Sequence, residues 1–594
     1  MNDLKYILIH NGLIFVTFEI LKKLLIISIA FLLIAGIYLY IRFEYLKAKD
    51  FKPETRKEKN VLDLRPSIIA KLKQLVKNGS NGLYILSIDK MEPDVVNSKL
   101  TINNASLQVD TVVMNQFRQL KKLPDDLFNI SFQSLHIDGI GITDLLHKDR
   151  IDLTNVFINN PVIRVYHELQ PYNEHLRRQN DSLTLYKRLM KQMKSIVIGK
   201  IDIEHATFID QVTSKKKQVT RFKDVYIRMN DIRVDSSTQF DQARFLFAKH
   251  AILGLDNFIL PTPDSLYFFK AGSAIVEGEQ HTITFRNTEL KPRYSKEEFE
   301  KKVITRHELY NMVSHHIILS GVDWWSLLNK DKLIAQHAVF DGSNLSAYLD
   351  LSLPRRQNIN MKNFPQQYLM KIPIPVSVAK VDLHHFNLSY SEYHRDIEKT
   401  GKVTFDDINC TITNMTNMPM EIRKHPLALV NGSCLFMNKA VFNGKFSFDL
   451  SKSSIGEFNA DLHMGPIDKD LVNPFAEIMG EFTVKSGQLQ EGSAQVEGNN
   501  ATIKGTVSMK YTDLAITPLK ERKGAEGNQK KKHVQGFIAN TFLIKKSNPE
   551  KGNLREPSFN VDRNHHANFF NFVWISVMTG ILKTVGIPSK FVIK

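Results

Sequence analysis

The feature that most constrains this chain is a stretch that it writes twice. GITDLLHKDRIDLTNVFINNPVIRVY, ending at Tyr166, returns as GVDWWSLLNKDKLIAQHAVFDGSNLSAY, ending at Tyr348. At an offset of 182, Leu146 falls on Leu328, Lys148 on Lys330, Asp149 on Asp331, Arg150 on Lys332 and Ile151 on Leu333. A second block keeps the order: GKIDIEHATF (199–208) matches AKVDLHHFNL (379–388) at an offset of 180. Two blocks in order at nearly one offset indicate an internal duplication, roughly 130–235 and 309–418. Both copies read as strands. A long repeat of strands predicts an elongated, quasi-one-dimensional β structure rather than a compact enzyme.

Around the repeat the chain divides by pattern. Residues 1–23 are rather apolar but interrupted by His10 and Glu19, fitting a helical extension or a segment on a membrane surface. Residues 24–41, LLIISIAFLLIAGIYLYI, carry no charge. At ~1.5 Å rise per residue they reach roughly 27 Å, enough to cross a bilayer core. Lys22, Lys23, Arg42, Lys47 and Lys49 flank the run, with Tyr38 and Tyr40 at interfacial depth. The competing reading is a cleaved signal peptide, but no small-residue cleavage site follows and the run is long for such a segment. The expectation is a signal anchor with a cytoplasmic N-terminus. Residues 42–81 read as a charged linker with a short amphipathic helix over 67–77.

Strand periodicity begins at residue 82 and fills 82–294, which holds the first repeat and an Arg- and Lys-rich helical insertion over 172–193. The section 295–426 opens with a helical connector, 295–315, and carries the second repeat. The clearest alternation lies in 427–518, where Phe446, Phe448 and Leu450 alternate with polar neighbours, as do Phe458, Ala460, Leu462 and Met464, and Ile503, Val507, Met509 and Tyr511. Strict alternation means one face wet and the other either buried, as in a β-sandwich, or lipid-facing. Residues 519–533 are polar, basic and Gly-containing, which predicts a flexible loop. The last section, 534–594, contains NFFNFVWISVMTGILKTVG (568–586), apolar at helical spacing but interrupted by Asn571, Ser576, Thr579 and Lys583. That pattern predicts a helix packed on the sheet end or dipping into a bilayer.

With 594 residues and 79 basic against 62 acidic ones, the formal net charge is +17. A basic chain favours anionic partners, although the charge is interspersed, as on an ordinary solvated surface. No nucleic-acid recognition fold accompanies it, and the anchor argues against that partner. The two cysteines, Cys410 and Cys434, exclude a disulfide-rich scaffold, and Cys410 reads as a buried thiol. No P-loop, paired-glycine fingerprint, HExxH or GxSxG is present, so nothing nominates a catalytic residue or a cofactor. The pairs His315–His316, His384–His385 and His565–His566 are poor metal sites, since adjacent strand residues face opposite ways. Asp406–Asp407 reads as turn residues. Trp324–Trp325 reads as a core pair or an aromatic anchor.

Three stretches carry a resemblance: the G-x-V-x-M-x-Y-x-D-L-x-I ending at 505–516, FIANTFLIKKSNP at 537–549, and the 568–586 tail. With the anchor and the repeated β region, the chain resembles the AsmA-like superfamily, which includes TamB-type proteins of the Gram-negative envelope, and within it a Bacteroidetes branch. The resemblance implies an inner-membrane protein with most of its chain in the periplasm. Its fold would be a curved antiparallel β-sheet forming a trough that passes phospholipids or other acyl lipids, without catalytic residues or cofactors. The expected trough lining is Val225, Ile227, Met229, Val381, Leu383, Phe446, Phe448, Val507 and Met509. A charge such as Phe448→Glu is expected to abolish lipid loading and spare the fold. The tail 568–586 is the expected far contact, with an outer membrane or a protein. About 30 strands at ~4.8 Å spacing would stack to about 145 Å. The alternative is a non-catalytic scaffold assisting outer-membrane protein assembly; an enzyme ranks below both.

Overall fold

The computed structural model describes residues 65–587 except 95–96, 140–149, 175–185, 187–194, 213–217, 263–264, 355–362, 395–396, 481, 519–543 and 565–566. The apolar run 24–41, most of the insertion 172–193 and the basic loop 519–533 lie outside the described residues. No described helix is long and apolar enough to cross a membrane.

The described chain is mainly β and forms one sheet of 21 strands. The strands are β1 (Tyr84–Asp94), β2 (Lys99–Val109), β3 (Asp126–Asp138), β4 (Arg150–Asn159), β5 (Val162–His167), β6 (Ser195–Val212) and β7 (Gln218–Val234). They continue with β8 (Ala248–Pro261), β9 (Tyr267–Glu277), β10 (Thr282–Pro292), β11 (Leu309–Ser320), β12 (Leu333–Asp350), β13 (Val376–His394) and β14 (Lys399–Thr416). The last are β15 (Leu427–Phe436), β16 (Ala440–Asp449), β17 (Phe458–Met464), β18 (Ile467–Asp468), β19 (Phe482–Gly498), β20 (Thr502–Pro518) and β21 (Ser558–Asp562). Each strand lies beside its neighbour in sequence. β4 with β5, and β17 with β18, share one ladder position each. Among the described residues eight α-helices pack against the sheet or join its strands; the four that bear on its apolar face below are α1 (Arg65–Gly79), α2 (Lys296–Val303), α3 (Trp324–Lys330) and α4 (Phe569–Thr584).

The sheet is mixed, which corrects the expectation of antiparallel pairing throughout. β6 runs parallel to β4 and β5, and β13 runs parallel to β12. Their connections, 168–194 and 351–375, are long enough to carry the chain back to the starting end, which a parallel pair needs and a hairpin does not. Both parallel pairings fall at the same place in the two copies of the repeat. The copies agree further. Gly139 and Gly321, 182 apart, both have positive φ (70° and 64°), and an added Cβ would meet Thr154 in one case and Gln336 in the other, again 182 apart. Lys200–Asp202 and Lys380–Asp382 are ion pairs at equivalent positions. The glycine matching Gly321 is therefore Gly139.

A crease crosses the strands of both copies. Asn104, His205, Asp224, Asn257, Asn287, His385 and Asp407 all sit mid-strand with φ between 48° and 53°. Asn, Asp and His are among the residues that tolerate this left-handed conformation. At the crease the buried positions step by three instead of two: Ile88 to Met91, Ile102 to Ala105, Phe132 to Leu135, Ile203 to Ala206, Phe222 to Val225 and Leu255 to Phe258. The phase slip keeps the apolar residues on one face while the strands bend, and such kinks raise local twist. In β6–β7 and β13–β14 the crease is a register shift, between Ile203 and Phe208 and, 180 residues on, between Leu383 and Leu388. Asp407 thus belongs to this crease rather than to a turn.

Helix boundaries follow local chemistry. α2 starts at a capping box of Ser295 and Glu298 and stops at Ile304 in the left-handed region, so the 295–315 connector is helical only in its first half; Leu309 already opens β11. Asp323 caps α3 and Asn568 caps α4. Trp324 is a core residue: its Nε1 donates to the Gly278 carbonyl at 2.7 Å and its ring meets Phe245 edge-on at 4.8 Å. Trp325 stacks obliquely on Phe240 instead.

Candidate functional site

The strand registers assemble one apolar row across the whole sheet. Met91, Ile102, Leu135, Ile158, Ile203, Ile227, Leu253, Val276 and Ile283 are successive cross-strand partners from β1 to β10. Leu319, Ala338, Val381, Ile412, Val430, Phe446, Ala460, Val496, Gly505 and Phe559 extend the row from β11 to β21. No member is polar. A second row lies beside it from β8: Leu255, Ala274, Phe285, Ile317, Phe340, Leu383, Cys410, Gly432, Gly444, Leu462, Ala494 and Val507. The opposite face at the same level is mostly polar, with Lys504, Glu497, Asn459 and Ser447 opposed in turn. One face of a single continuous sheet is therefore apolar from end to end.

That face is covered unevenly. From β1 to β10 it is buried in one cluster, with Leu72 of α1 (1% exposed) over its first strands and Trp324 of α3 further along. Most of this burial comes from the inner side chains of the strands themselves, which form one contiguous cluster. At the far end a second cluster forms under α4, where Phe569 touches the rings of Phe446, Phe448, Phe458 and Phe364. Between them the cover thins. Leu383, Ile412, Val430, Phe446 and Leu462 are only partly buried, the first two against the first cluster and the rest against the second. In their midst Gly432 and Gly444 are direct cross-strand partners, and Gly444 is buried against Phe442, Phe446 and Leu462.

All nine expected lining residues lie on this face. Val225, Ile227 and Met229 of β7 and Val381 of β13 are buried in the first cluster, with Leu383 at its margin. Phe448 and Val507 are buried in the second, with Phe446 and Met509 half-buried against it. The structure brings them together as two groups rather than one uniform lining. It also corrects the expectation for Phe448→Glu. Phe448 is 7% exposed and enclosed by Phe446, Phe458 and Phe569. An unpaired charge there is costly enough to unfold the C-terminal end. Sequence reasoning missed the glycine pair and the half-open strip, because both exist only once the register is set.

Both cysteines are free thiols on the same face. Burial is the larger of the causes that push each up to about 11. Neither is poised as a nucleophile at neutral pH. On the outer face Asp382 is 5% exposed and sits 2.7 Å from both Lys380 Nζ and His337 Nε2. Burial alone would raise its pKa. Hydrogen bonds from Lys380, Thr411 and His337 outweigh that and hold its carboxyl well below the usual range. His205 and His385 face Asp224 and Asp407 across the crease, exposed in both repeats. Among the described residues no three His, Cys, Asp or Glu side chains converge as a metal site.

α4 is amphipathic in reverse. Its hydroxyls turn inward: Ser576, Thr579 and Thr584 are buried and each donates to the carbonyl four residues back. Phe569 and Phe572 turn inward with them, while two other aromatics turn outward, Phe570 58% and Trp574 49% exposed. Gly580 allows the close approach to Val507 and Phe559.

No family model matches this chain, and no curated protein matches it. Among solved structures, a crystal structure of the sex pheromone staph-cAM373 precursor is similar at 10% identity, over 60% of this chain and 96% of that chain, with a TM-score of 0.12. A superposition that loose carries no argument about function.

Proposed function

We propose that this chain is a membrane-anchored envelope protein whose apolar sheet face binds the acyl chains of phospholipids and serves lipid transfer or lipid homeostasis between two membranes. The observation that carries the reading is the unbroken apolar row from Met91 to Phe559 on one sheet. A sandwich buries its apolar faces between two sheets. A single sheet that curls over only part of its own face leaves apolar surface that acyl chains cover well. Nineteen ladder positions at ~4.8 Å make the row about 86 Å long, several acyl chains end to end. Headgroups would stay in water, with no catalytic centre, metal or cofactor required. Residues 24–41 would anchor the chain in an inner membrane, with the rest in the periplasm.

The outward aromatics of α4 favour a contact of this helix with a membrane surface, since exposed Phe570 and Trp574, four residues apart on one side of the helix, suit an interfacial setting. The same face on a protein partner would make the chain a non-catalytic assembly scaffold, which is the second reading.

The test is mass spectrometry of lipids extracted from residues 60–594 purified from the periplasm. The C-terminal boundary keeps α4 over its cluster. Phospholipid at reproducible stoichiometry supports the proposal. A folded, monodisperse and lipid-free protein overturns it in favour of the scaffold.

A further inference from the structure

We infer that α2 is a pH-sensitive clasp on the rim of the sheet: a carboxyl pair, Glu300 on α2 and Asp350 at the end of β12, holds the helix shut while the pair carries a proton and releases it when that proton is lost. The inference goes beyond the lipid-binding reading and holds whatever the sheet carries.

α2 lies in the connection between β10 and β11 and packs at the strand ends. Its Phe299, 2% exposed, is buried in a small apolar cluster with Tyr267, Leu290, Tyr310 and Ala347, and its ring meets Tyr267 edge-on at 5.8 Å. This cluster is separate from the two described above. Polar contacts then fasten the helix to β12 and β13. Lys296 Nζ stands 3.8 Å from the Tyr348 ring centroid and 5.3 Å from that of Tyr393. The carboxyls of Glu300 and Asp350 hydrogen-bond each other. Just past the helix, Arg306 donates to the carbonyls of Leu351 at 2.5 Å and Leu353 at 2.9 Å.

Two carboxyl groups can share a hydrogen bond only when one of them is protonated. The surroundings favour that proton. Asp350 is 6% exposed, and its Oδ1 already accepts from the Ser352 N–H at 2.7 Å. Glu300 Oε1 is buried with no hydrogen-bond partner among the described residues, a costly place for an ionised oxygen. Lys296 is one turn back on α2, where a lysine commonly pairs with a glutamate, yet its ammonium is over the tyrosine rings. Burial, and after it the Asp350 charge, raise the Glu300 carboxyl above its usual range; Lys296 opposes this and Glu297 adds to it. Tyr348, pushed up by burial and by both carboxyls, stays a neutral phenol. The groups around the pair are therefore Lys296 and Glu297 from α2, Tyr348 from β12, Tyr393 from β13 and Arg306 beyond the helix.

The sign follows from a raised carboxyl. Closure is at full strength below the ordinary glutamate range and weakens as pH rises through the raised value. Once both carboxyls are ionised, like charges in contact repel, and α2 lifts from the cluster under Phe299.

Hydrogen exchange of the full-length protein at pH 5 and pH 8 tests this, read as protection factors, which divide out the intrinsic pH dependence of exchange. α4, whose buried residues are apolar or hydroxyl-bearing, is the reference. In wild type the protection of amides 299–304 should be about fivefold lower at pH 8 than at pH 5, with α4 unchanged. In Glu300→Gln an amide donates to Asp350 at either pH, so α2 should be as well protected at pH 8 as at pH 5. Wild-type protection of α2 that does not change with pH overturns the clasp. So does a pH dependence that survives in Glu300→Gln, since it would belong to His307 or His394, the histidines nearest this rim in sequence. The wild-type profile needs no variant, so a Glu300→Gln protein that failed to fold would leave a flat profile equally decisive.

Discussion

Replacing Gly580 by alanine tests how α4 closes the far end of the sheet. In an exposed helix the change would stabilise by ~1 kcal/mol, because alanine is the better helix former. Here an added Cβ stands 2.5 Å from Val507 Cγ2, 3.0 Å from Val507 Cβ and 2.9 Å from Phe559 Cδ1. Valine is stiff at χ1, and both neighbours are buried, so the helix must lift rather than the side chains swing. Overpacking of this kind costs ~1–3 kcal/mol. The two effects leave a net loss of about 1 kcal/mol, confined at first to α4. Hydrogen exchange reads it directly: amides of 569–584 should exchange about fivefold faster, with those of β6–β8 unchanged. Val507→Ala removes the offending methyls. In the double variant the cost of Gly580→Ala should shrink or change sign, giving a coupling of ~1 kcal/mol. Slower exchange in Gly580→Ala, or strict additivity with Val507→Ala, would refute this account of the interface.

The two repeats offer a matched pair. Gly139→Ala and Gly321→Ala both force a Cβ into left-handed backbone, at a cost of ~1–2 kcal/mol. Gly139 then meets the stiff Thr154 and Gly321 the flexible Gln336, so thermal melts should show the larger loss for Gly139→Ala. Equal stability with wild type in either would contradict the shared geometry. For Asp382 the sign is that of a depressed carboxyl: its stabilisation is present above the unfolded value near ~3.9 and is lost as pH falls below it. Asp382→Asn should therefore cost about 1–2 kcal/mol at pH 7 and flatten the stability curve between pH ~5 and ~3, measured by urea unfolding; a variant curve parallel to wild type would refute it. Phe570→Ser with Trp574→Ser should weaken binding to anionic vesicles several-fold at an unchanged melting temperature, because both side chains point away from the sheet. Unchanged vesicle binding would count against a membrane contact of α4.

How much of this was legible depended on whether a feature is local. The duplication could be read because the Lys200–Asp202 and Lys380–Asp382 pairs, and His205 and His385 at the crease, keep their residue types in both copies. The helix α4 was legible from its apolar spacing, although not its reversal. Sequence pattern suggests that Ser576 and Thr579 interrupt a buried face, whereas their hydroxyls satisfy themselves on the preceding helical turn and so can be buried. The crease was hidden by looking for strict alternation. A step of three centred on Asn, Asp or His looks like a broken strand until several strands break in line. Parallel pairing was hidden too, since a strand half-buried beside a parallel neighbour alternates like any other. The Gly432–Gly444 pair depends on the turn at Met437 and Asn438, both at positive φ, where methionine gives no turn signal.

The uneven cover of the apolar face follows from how the sheet is built. The first repeat and the strands after it carry large inner side chains, such as Ile203, Phe208, Phe222, Phe258 and Phe285, which meet one another once the crease has bent the sheet. The far end closes differently: its inner face mixes the small residues Ala460, Ala494 and Gly505 with the rings of Phe446, Phe448, Phe458 and Phe559. It needs an added element, and α4 supplies bulk with Phe569 and Phe572. Leu383, Ile412, Val430 and Leu462 lie where the two solutions meet and are only partly buried, the first two against the first cluster and the others against the second. Gly444, on the same face, is buried against Phe442, Phe446 and Leu462, so the missing side chain there makes room for the large residues around it, which is how a sheet with two differently built halves keeps one continuous apolar face.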